Sequence, residues 1–212
     1  MTRVYLTGSG AFGRAVATAL EDHGHTLVGL AVPERGRHGK RDGLTAWADW
    51  NTDAPVTTHT LLHPEDVPDG TDVILAAHSH AFVGRRTRAR APYALGYHPS
   101  LLPLHRGRDA VRWTCRMGDR VTGGSVYHLT DRVDGGPLAA QEHIIIDPTE
   151  GPSALWRDHL FPLGVRMLTD VVDLIASGGT VPTIPQDDDL ATWEPSLDAA
   201  PVYRPELFEL PR

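Results

Sequence analysis

The chain has 212 residues, of which 41% are hydrophobic and 22% charged, a composition typical of a globular protein with a single large core. Its formal net charge of -7 argues against nucleic acid as a partner, because phosphate binding requires a concentrated positive surface. The sequence predicts no membrane span, no signal peptide and, with one cysteine, neither a disulfide nor a cysteine-built metal site, which is typical of cytoplasmic proteins.

The N-terminal half alternates the signals of strands and helices. Short apolar runs predict strands at residues 3–7, 26–32, 56–60 and 72–77. Helical spacing of apolar residues predicts helices between them, at residues 11–22, 44–51 and 85–90. This alternation predicts an α/β fold, in which a doubly wound, mostly parallel sheet is the middle of three layers.

The C-terminal half is predicted to continue the sheet and to add a long helix. Strands are predicted at 94–98, 122–129 and 138–146, and helices at 110–117 and 153–175. Asp109 and Ser153 are the predicted N-caps of these helices, and Pro162 is expected to kink the longer one. The last 30 or so residues are rich in proline and aspartate. We therefore expect one catalytic domain, residues 1–180, with a C-terminal extension, residues 181–212, packing on the same domain.

Three glycines follow the first strand in the spacing G-x-G-x-x-G, namely Gly8, Gly10 and Gly13. This pattern is typical of dinucleotide binding, but the expected acidic residue after the second strand is represented only by Glu34, which Pro33 precedes. The glycines could instead bind another anion at the helix N-terminus, or form a structural turn. The basic loop 35–41 is open to the same two interpretations, an anion site or a solvated loop.

A histidine, His98, ends the strand predicted at 94–98, where α/β sheets place their ligands. Asp134 lies further along in the glycine-rich loop DGGP. A carboxylate can orient a histidine ring and stabilise its protonated form, so the two residues are a candidate acid–base pair. On residue types alone, a structural histidine is an equal alternative.

The ordered motifs HPSLLP (98–103), Arg106-Gly107, Thr122-Gly123 and DGGP (134–137) resemble the core of the folate-dependent formyltransferase family. That family includes glycinamide ribonucleotide formyltransferase and the catalytic domain of methionyl-tRNA formyltransferase. The resemblance implies a Rossmann-like formyltransferase fold and 10-formyltetrahydrofolate as the one-carbon donor, with no metal. It places the family's catalytic histidine at His98 and its aspartate at Asp134, and its often cis Leu-Pro bond at Leu102-Pro103.

The resemblance also implies which residues bind the two substrates. The folate would lie against two loops, formed by Ala77, His78, Ser79, His80, Ala81 and Phe82 and by Leu129, Thr130, Asp131, Val133 and Asp134. The acceptor, a small and anionic amine, would bind at Gly8, Ser9, Gly10, Arg106 and Gly107. The acidic charge and the length of the chain argue against transfer RNA as the acceptor, and the oligomeric state is not predicted.

One position departs from the family pattern. The family's catalytic asparagine, two residues before the histidine, is Gly96 here, and losing one oxyanion donor costs about 10² to 10³ in rate. We expect His78 or His80 to supply the missing donor and to count among the catalytic residues. The alternatives are a weaker or different activity such as hydrolysis of the formyl donor, folate binding without turnover, or an NAD-linked oxidoreductase.

Overall fold

A computed structural model describes residues 1–36, 39–58, 60–147 and 149–197. The central sheet has seven strands: β1 (Arg3–Gly8), β2 (Thr26–Ala31), β3 (Val56–Thr57), β5 (Val73–Ala77), β7 (Tyr93–His98), β8 (Val121–His128) and β9 (Leu138–Ile145). Their order across the sheet is β3-β2-β1-β5-β7-β8-β9. The helices are α1 (Gly10–Asp22), α2 (Gly43–Asn51), α3 (Arg85–Arg88), α4 (Ala110–Met117), α5 (Pro152–Ala154) and α6 (Phe161–Ala176). The remaining strands, β4 (Leu61–Leu62) and β6 (Phe82–Val83), pair in a separate small sheet.

The first five strands of the central sheet are parallel, from β3 through β7, and the pairs β7–β8 and β8–β9 are antiparallel. The predicted mostly parallel α/β sheet is therefore confirmed. After β1 the chain builds outward to β2 and β3, and then returns to place β5 on the other side of β1. The carboxyl ends of β1 and β5 thus form a topological switch point, the place where open α/β sheets bind ligands.

Alternating side chains of the strands enter two hydrophobic clusters. Val4 and Leu6 of β1 pack in the larger cluster with α1, α2 and α6, whereas Tyr5 between them packs in the smaller cluster on the opposite face. The smaller cluster also contains Leu62 and Val83 of the short β4–β6 sheet. The sheet is therefore the middle layer of three, because a strand alternates its side chains between its two faces.

Several local predictions differ from the structure. The short β4–β6 pair was not predicted, because two-residue strands carry no periodicity. Gly151, not Ser153, is the N-cap of α5, so the capping prediction for Ser153 is wrong. A π-helical segment, Leu155–Leu160, joins α5 to α6 and ends two residues before Pro162, which lacks the N–H that an α-helical turn would need. Asp109 is the N-cap of α4, but its carboxylate accepts the N–H of Leu197 instead of capping the helix.

The C-terminal segment 181–197 contacts the rest of the fold at several points. Ile184 pairs with Leu138 at the start of β9, and Trp193 forms a bridge with Arg106. Residues 198–212, the rest of the predicted extension, lie outside the described residues. Within the described part of the chain, no helix is both long and apolar enough to cross a membrane.

Candidate active site

Three parallel strands bring their carboxyl ends together at one edge of the sheet. Gly8 at the end of β1 pairs with Ala77 at the end of β5, and Ala76 pairs with Gly96 of β7. The hydroxyl of Ser9, just after β1, donates to the backbone carbonyl of His78 at 2.7 Å. The segments that follow these strands therefore meet at one place, as the strand order requires.

His98 is the last residue of β7, where Pro99 interrupts the hydrogen-bond ladder because it has no N–H. The imidazole is buried, with 6% of the residue exposed. Its Nε2 lies 2.7 Å from the backbone carbonyl of His105. A carbonyl can only accept, so Nε2 carries a hydrogen and Nδ1 is the nitrogen that remains for other chemistry.

Asp134 faces that second nitrogen of His98. Its Oδ2 lies 3.7 Å from Nδ1 of His98, and 9% of the residue is exposed. The backbone has a φ of +50° at this position, a left-handed conformation that aspartate tolerates better than most residues. Two donors hold the carboxylate: the hydroxyl of Tyr127 at 2.7 Å from Oδ1 and the N–H of Gly107 at 2.9 Å from Oδ2. The fold thus brings the two predicted catalytic residues together as neighbours.

Gly96 lies on the same face of β7 as His98, two residues earlier. A Cβ at this position would lie 3.0 Å from Cδ2 of Leu129 and 3.4 Å from the ring of Tyr127, its three nearest atoms belonging to these two residues. Leu129 and Tyr127, not the imidazole of His78 or His80, are therefore the closest groups to the missing side chain. Their bulk fills the space beside Gly96.

The glycine turn after β1 is already bonded to a carboxylate. Both oxygens of Asp42 lie 2.9 Å from the N–H of Gly10, and one also accepts the N–H of Leu44 at 2.8 Å. Asp42 is buried, with 5% exposed. An anionic ligand at Gly10 would have to displace this internal carboxylate, so the contact favours the structural interpretation of the turn.

The three glycines of the turn are each explained by packing or backbone conformation. A Cβ at Gly8 would lie 2.6 Å from the carbonyl oxygen of Ala77, and a Cβ at Gly13 would lie 3.0 Å from Leu44. Gly10 has a φ of +64°, which glycine adopts without steric cost. Part of the basic loop 35–41, residues 37 and 38, lies outside the described residues.

His78 and His80 are exposed on the loop after β5. Their rings lie 5.3 Å apart between centroids, and Nδ1 of His78 lies 3.4 Å from the hydroxyl of Ser9. Ser79 is tied to β1 by a 2.6 Å hydrogen bond between its hydroxyl and that of Thr7. The structure thus places both histidines at the correct edge of the sheet, and their catalytic role stays a prediction.

The second loop predicted to contact folate, 129–134, is anchored at its first residue and at Asp131. Leu129 donates its N–H to the carbonyl of Ala94 at 2.8 Å, and Asp131 forms ion pairs with Arg85 and Arg88 of α3. These hydrogen bonds, first from Arg88 and then from Arg85, hold the pKa of Asp131 below its usual value. Because α3 follows the first loop, the ion pairs connect the two loops.

Arg106 and Gly107, predicted to bind the acceptor, have structural contacts instead. Only 3% of Arg106 is exposed, and its guanidinium bonds the side chains of Gln186, at 2.6 Å, and Asp188, at 2.9 Å. Gly107 donates to Asp134, as described above. The geometry therefore does not favour binding of the acceptor substrate by Arg106, because its guanidinium is already hydrogen-bonded to Gln186 and Asp188 of the C-terminal segment.

Three contributors to the site were not predicted from the sequence. The hydroxyl of Tyr127 donates to the carboxylate of Asp134, the Nε2 amide of Gln186 donates to the carbonyl of Asp134 at 2.8 Å, and the carbonyl of His105 accepts from His98. Gln186 comes from a segment more than 50 residues away from Asp134 along the chain. A motif search cannot find such contacts, because only chain folding brings these groups together. The Leu102-Pro103 bond is cis, as the family resemblance implies.

Comparison with known proteins identifies the same family as the motifs do. The family model described as formyl transferase matches residues 68–171. Human mitochondrial 10-formyltetrahydrofolate dehydrogenase is 32% identical over 209 residues, which are 91% of this chain and 22% of the dehydrogenase. Methionyl-tRNA formyltransferase of Chloroflexus aurantiacus is 32% identical over 204 residues, which are 90% of this chain and 64% of that protein. The chain therefore spans about a fifth of the length of the dehydrogenase.

A solved structure supports the fold. The N-formyltransferase of Helicobacter canadensis, described in complex with folinic acid and dTDP-3-aminofucose, superposes with a TM-score of 0.73 at 11% identity. The match covers 94% of this chain and 73% of that one. The predicted Rossmann-like formyltransferase fold is confirmed by this likeness and by the strand order.

Proposed function

Because the chain belongs to the formyltransferase family, we propose that it moves a formyl group from 10-formyltetrahydrofolate to a small nucleophile. The reaction takes place beside His98. The observation that carries the proposal is the buried pair of His98 and Asp134, in which Nδ1 of the histidine lies 3.7 Å from Oδ2 of the aspartate. His98 ends β7, the strand beside the topological switch point of β1 and β5, where open α/β sheets bind ligands.

His98 acts as the proton carrier. Its Nε2 is bonded to a backbone carbonyl, so Nδ1 accepts the proton of the attacking nucleophile and later returns it to the leaving nitrogen. The carboxylate of Asp134 stabilises the charged ring, because it faces Nδ1 and is itself held by Tyr127 and Gly107. Burial of both residues strengthens this charge interaction relative to water.

The two loops beside the pair have the character that a reduced folate requires. Phe82 on the first loop is 55% exposed and Val133 on the second is 61% exposed, so apolar surface is available for a flat heterocycle. The resemblance assigns the folate to residues 77–82 and 129–134, which are linked by the ion pairs of Asp131. Backbone N–H and C=O groups of the loops would form hydrogen bonds with the polar edge of the pteridine.

The nucleophile is either a small amine or water. A small amine is the acceptor that the family resemblance implies. Hydrolysis of the formyl donor to formate is the second candidate. The N–H of Gly10, at which an anionic acceptor is predicted to bind, already donates to the carboxylate of Asp42. Hydrolysis also needs no acceptor site, which agrees with the buried and bonded guanidinium of Arg106.

Release of tetrahydrofolate from 10-formyltetrahydrofolate tests the proposal and separates the two nucleophiles. Wild-type protein is assayed by absorbance with and without a panel of amino sugars and other small amines. Release that requires an amine identifies a transferase, and release in buffer alone identifies a hydrolase. His98→Ala is expected to lower kcat by about 10² to 10⁴.

His128→Ala is the matched control. Nε2 of His128 also bonds a backbone carbonyl, that of Pro182 at 2.8 Å, but the residue is not part of the pair. Its kcat should stay close to that of the wild type. The proposal fails if wild-type protein releases no tetrahydrofolate under any condition, or if His98→Ala turns over as fast as His128→Ala.

A further inference from the structure

We propose that Tyr127 is a positioning residue for the formyl-transfer step. It lies on β8 opposite Gly96 and holds the carboxylate of Asp134 toward His98. The inference rests on the proposed function for its kinetic consequence. It assigns a role to a side chain that is neither part of the resemblance motifs nor a member of the predicted pair.

Tyr127 and Gly96 are direct partners across the antiparallel pair β7–β8. Directly opposite residues project to the same face of a sheet, about 4.5 to 5.5 Å apart at Cβ. The ring of Tyr127 lies 3.4 Å from the position of a Cβ at Gly96. The phenol is therefore one of the groups that any side chain at Gly96 would contact.

The hydroxyl of Tyr127 determines how the carboxylate of Asp134 is oriented. It donates to Oδ1 at 2.7 Å, while the N–H of Gly107 donates to Oδ2 at 2.9 Å. With one donor on each oxygen, the carboxylate cannot rotate about its terminal bond without losing a hydrogen bond. Oδ2 is the oxygen that faces Nδ1 of His98, so the orientation of the pair depends on both donors.

The phenol is suited to act only as a donor. Tyr127 is 9% exposed, and burial, followed by the negative charge of Asp134, raises its pKa well above the usual value. The O–H is therefore retained at neutral pH. Hydrogen bonds to an ionised acceptor are about twice as strong as neutral ones, so loss of this donor should be measurable.

Tyr97 offers a matched control on the neighbouring strand. It is also a buried tyrosine, 8% exposed, whose hydroxyl donates a single hydrogen bond, to the carbonyl of Leu160 at 2.8 Å. Its side chain packs in the large cluster on the opposite face of the sheet from His98. Tyr97→Phe thus removes an equivalent hydrogen bond without touching the pair.

The test compares Tyr127→Phe with Tyr97→Phe by two readouts. The first is the ¹⁵N NMR spectrum of the histidine rings, with the His98 signals assigned from His98→Ala. The second is the kinetics of tetrahydrofolate release. Tyr127→Phe should shift the His98 ring signals and lower kcat about 10- to 100-fold, with the KM for the folate nearly unchanged. Tyr97→Phe should do neither.

His98 ring signals that are the same in Tyr127→Phe and wild type would overturn the inference, whether or not the protein turns over. Equal kcat values for the Tyr127→Phe and Tyr97→Phe variants would overturn it as well. Absence of turnover in the wild type would instead contradict the proposed function, and the NMR comparison would still decide the role of Tyr127.

Discussion

Gly96 and its neighbours account for the main departure of this site from the family pattern. A side chain at Gly96 would lie against Leu129 and Tyr127, and glycine supplies no side-chain donor where the family resemblance implies one. A different packing arrangement stands in its place, with a tyrosine that contacts the carboxylate of the pair.

Restoring asparagine at this position should harm the protein. Gly96→Asn adds a side chain whose Cβ alone would lie 3.0 Å from Leu129 and 3.4 Å from Tyr127, and overpacking costs about 1–3 kcal/mol. We expect a lower Tm and a lower kcat, because the phenol is displaced from Asp134. Thermal unfolding and kinetics measure both. Gly151→Asn is the control, since Gly151 has a φ of -80° and open space around it; an equal loss in both variants would contradict the packing argument.

The imidazoles of His78 and His80 give a separate prediction about the missing donor. If one of them stabilises the oxyanion, its replacement by alanine should lower kcat by about 10² with folate affinity little changed. Both residues are exposed, so neither variant should unfold. The single and double alanine variants are compared by steady-state kinetics and folate titration. Full activity in the double variant would leave the oxyanion to His98, the backbone or water.

At the scale of elements, the C-terminal segment 181–197 is held against the loops of the site by charged groups. Asp188 accepts from Arg132 at 2.8 Å and from Arg106 at 2.9 Å. These hydrogen bonds, first from Arg132 and then from Arg106, lower the pKa of Asp188 from 3.8 to about 2. Gln186 in the same segment bonds the carbonyl of Asp134, so the segment supports the loop that carries the carboxylate.

Acid should loosen this segment. A carboxylate with a lowered pKa in the folded state stabilises the fold above its unfolded pKa, and this contribution is lost as the pH falls through the folded value. For Asp188 the loss is expected between about pH 4 and pH 2, the interval between its two pKa values. Tm measured across this range should fall less steeply in Asp188→Asn than in the wild type. Asp189→Asn is the control, because the side chain of Asp189 forms none of these ion pairs; parallel curves for wild type and Asp188→Asn would refute the expectation.

At the scale of the whole molecule, the chain corresponds to 22% of the length of the human mitochondrial dehydrogenase that it resembles. The glycine turn that resembles a dinucleotide site is bonded to Asp42, whose negative charge would repel a pyrophosphate. This geometry argues against an NAD-linked oxidoreductase, the alternative that the glycine spacing left open.

The protein is therefore expected to bind a reduced folate and to show no binding of NADH or NADPH. Titration calorimetry with 5-formyltetrahydrofolate and with each dinucleotide measures this difference. Asp42→Ala tests whether the carboxylate is what prevents dinucleotide binding, because its removal frees the N–H of Gly10. Loss of these hydrogen bonds should cost about 1–3 kcal/mol of stability. Tight NADH binding by the wild type, without folate binding, would overturn the assignment.

The sequence alone determined the fold class and the two members of the pair. Strand and helix periodicity is local, so the alternation that predicts a parallel α/β sheet is readable without contacts. His98 and Asp134 lie in short motifs of consecutive residues, HPSLLP and DGGP. Such motifs can be recognised in the sequence without knowledge of tertiary contacts. Sequence periodicity also predicted that His98 would lie at a strand end, which the structure confirms.

Only the tertiary structure decided what surrounds the pair. The antiparallel register sets Tyr127 opposite Gly96, and a shift of one residue would have turned the phenol to the other face. The bonds of Asp42 to Gly10 and of Gln186 to Asp134 join residues 32 and 52 positions apart. Neither pairing leaves a periodic or motif signal, because its energy comes from satisfying buried donors and acceptors that meet only in the folded chain.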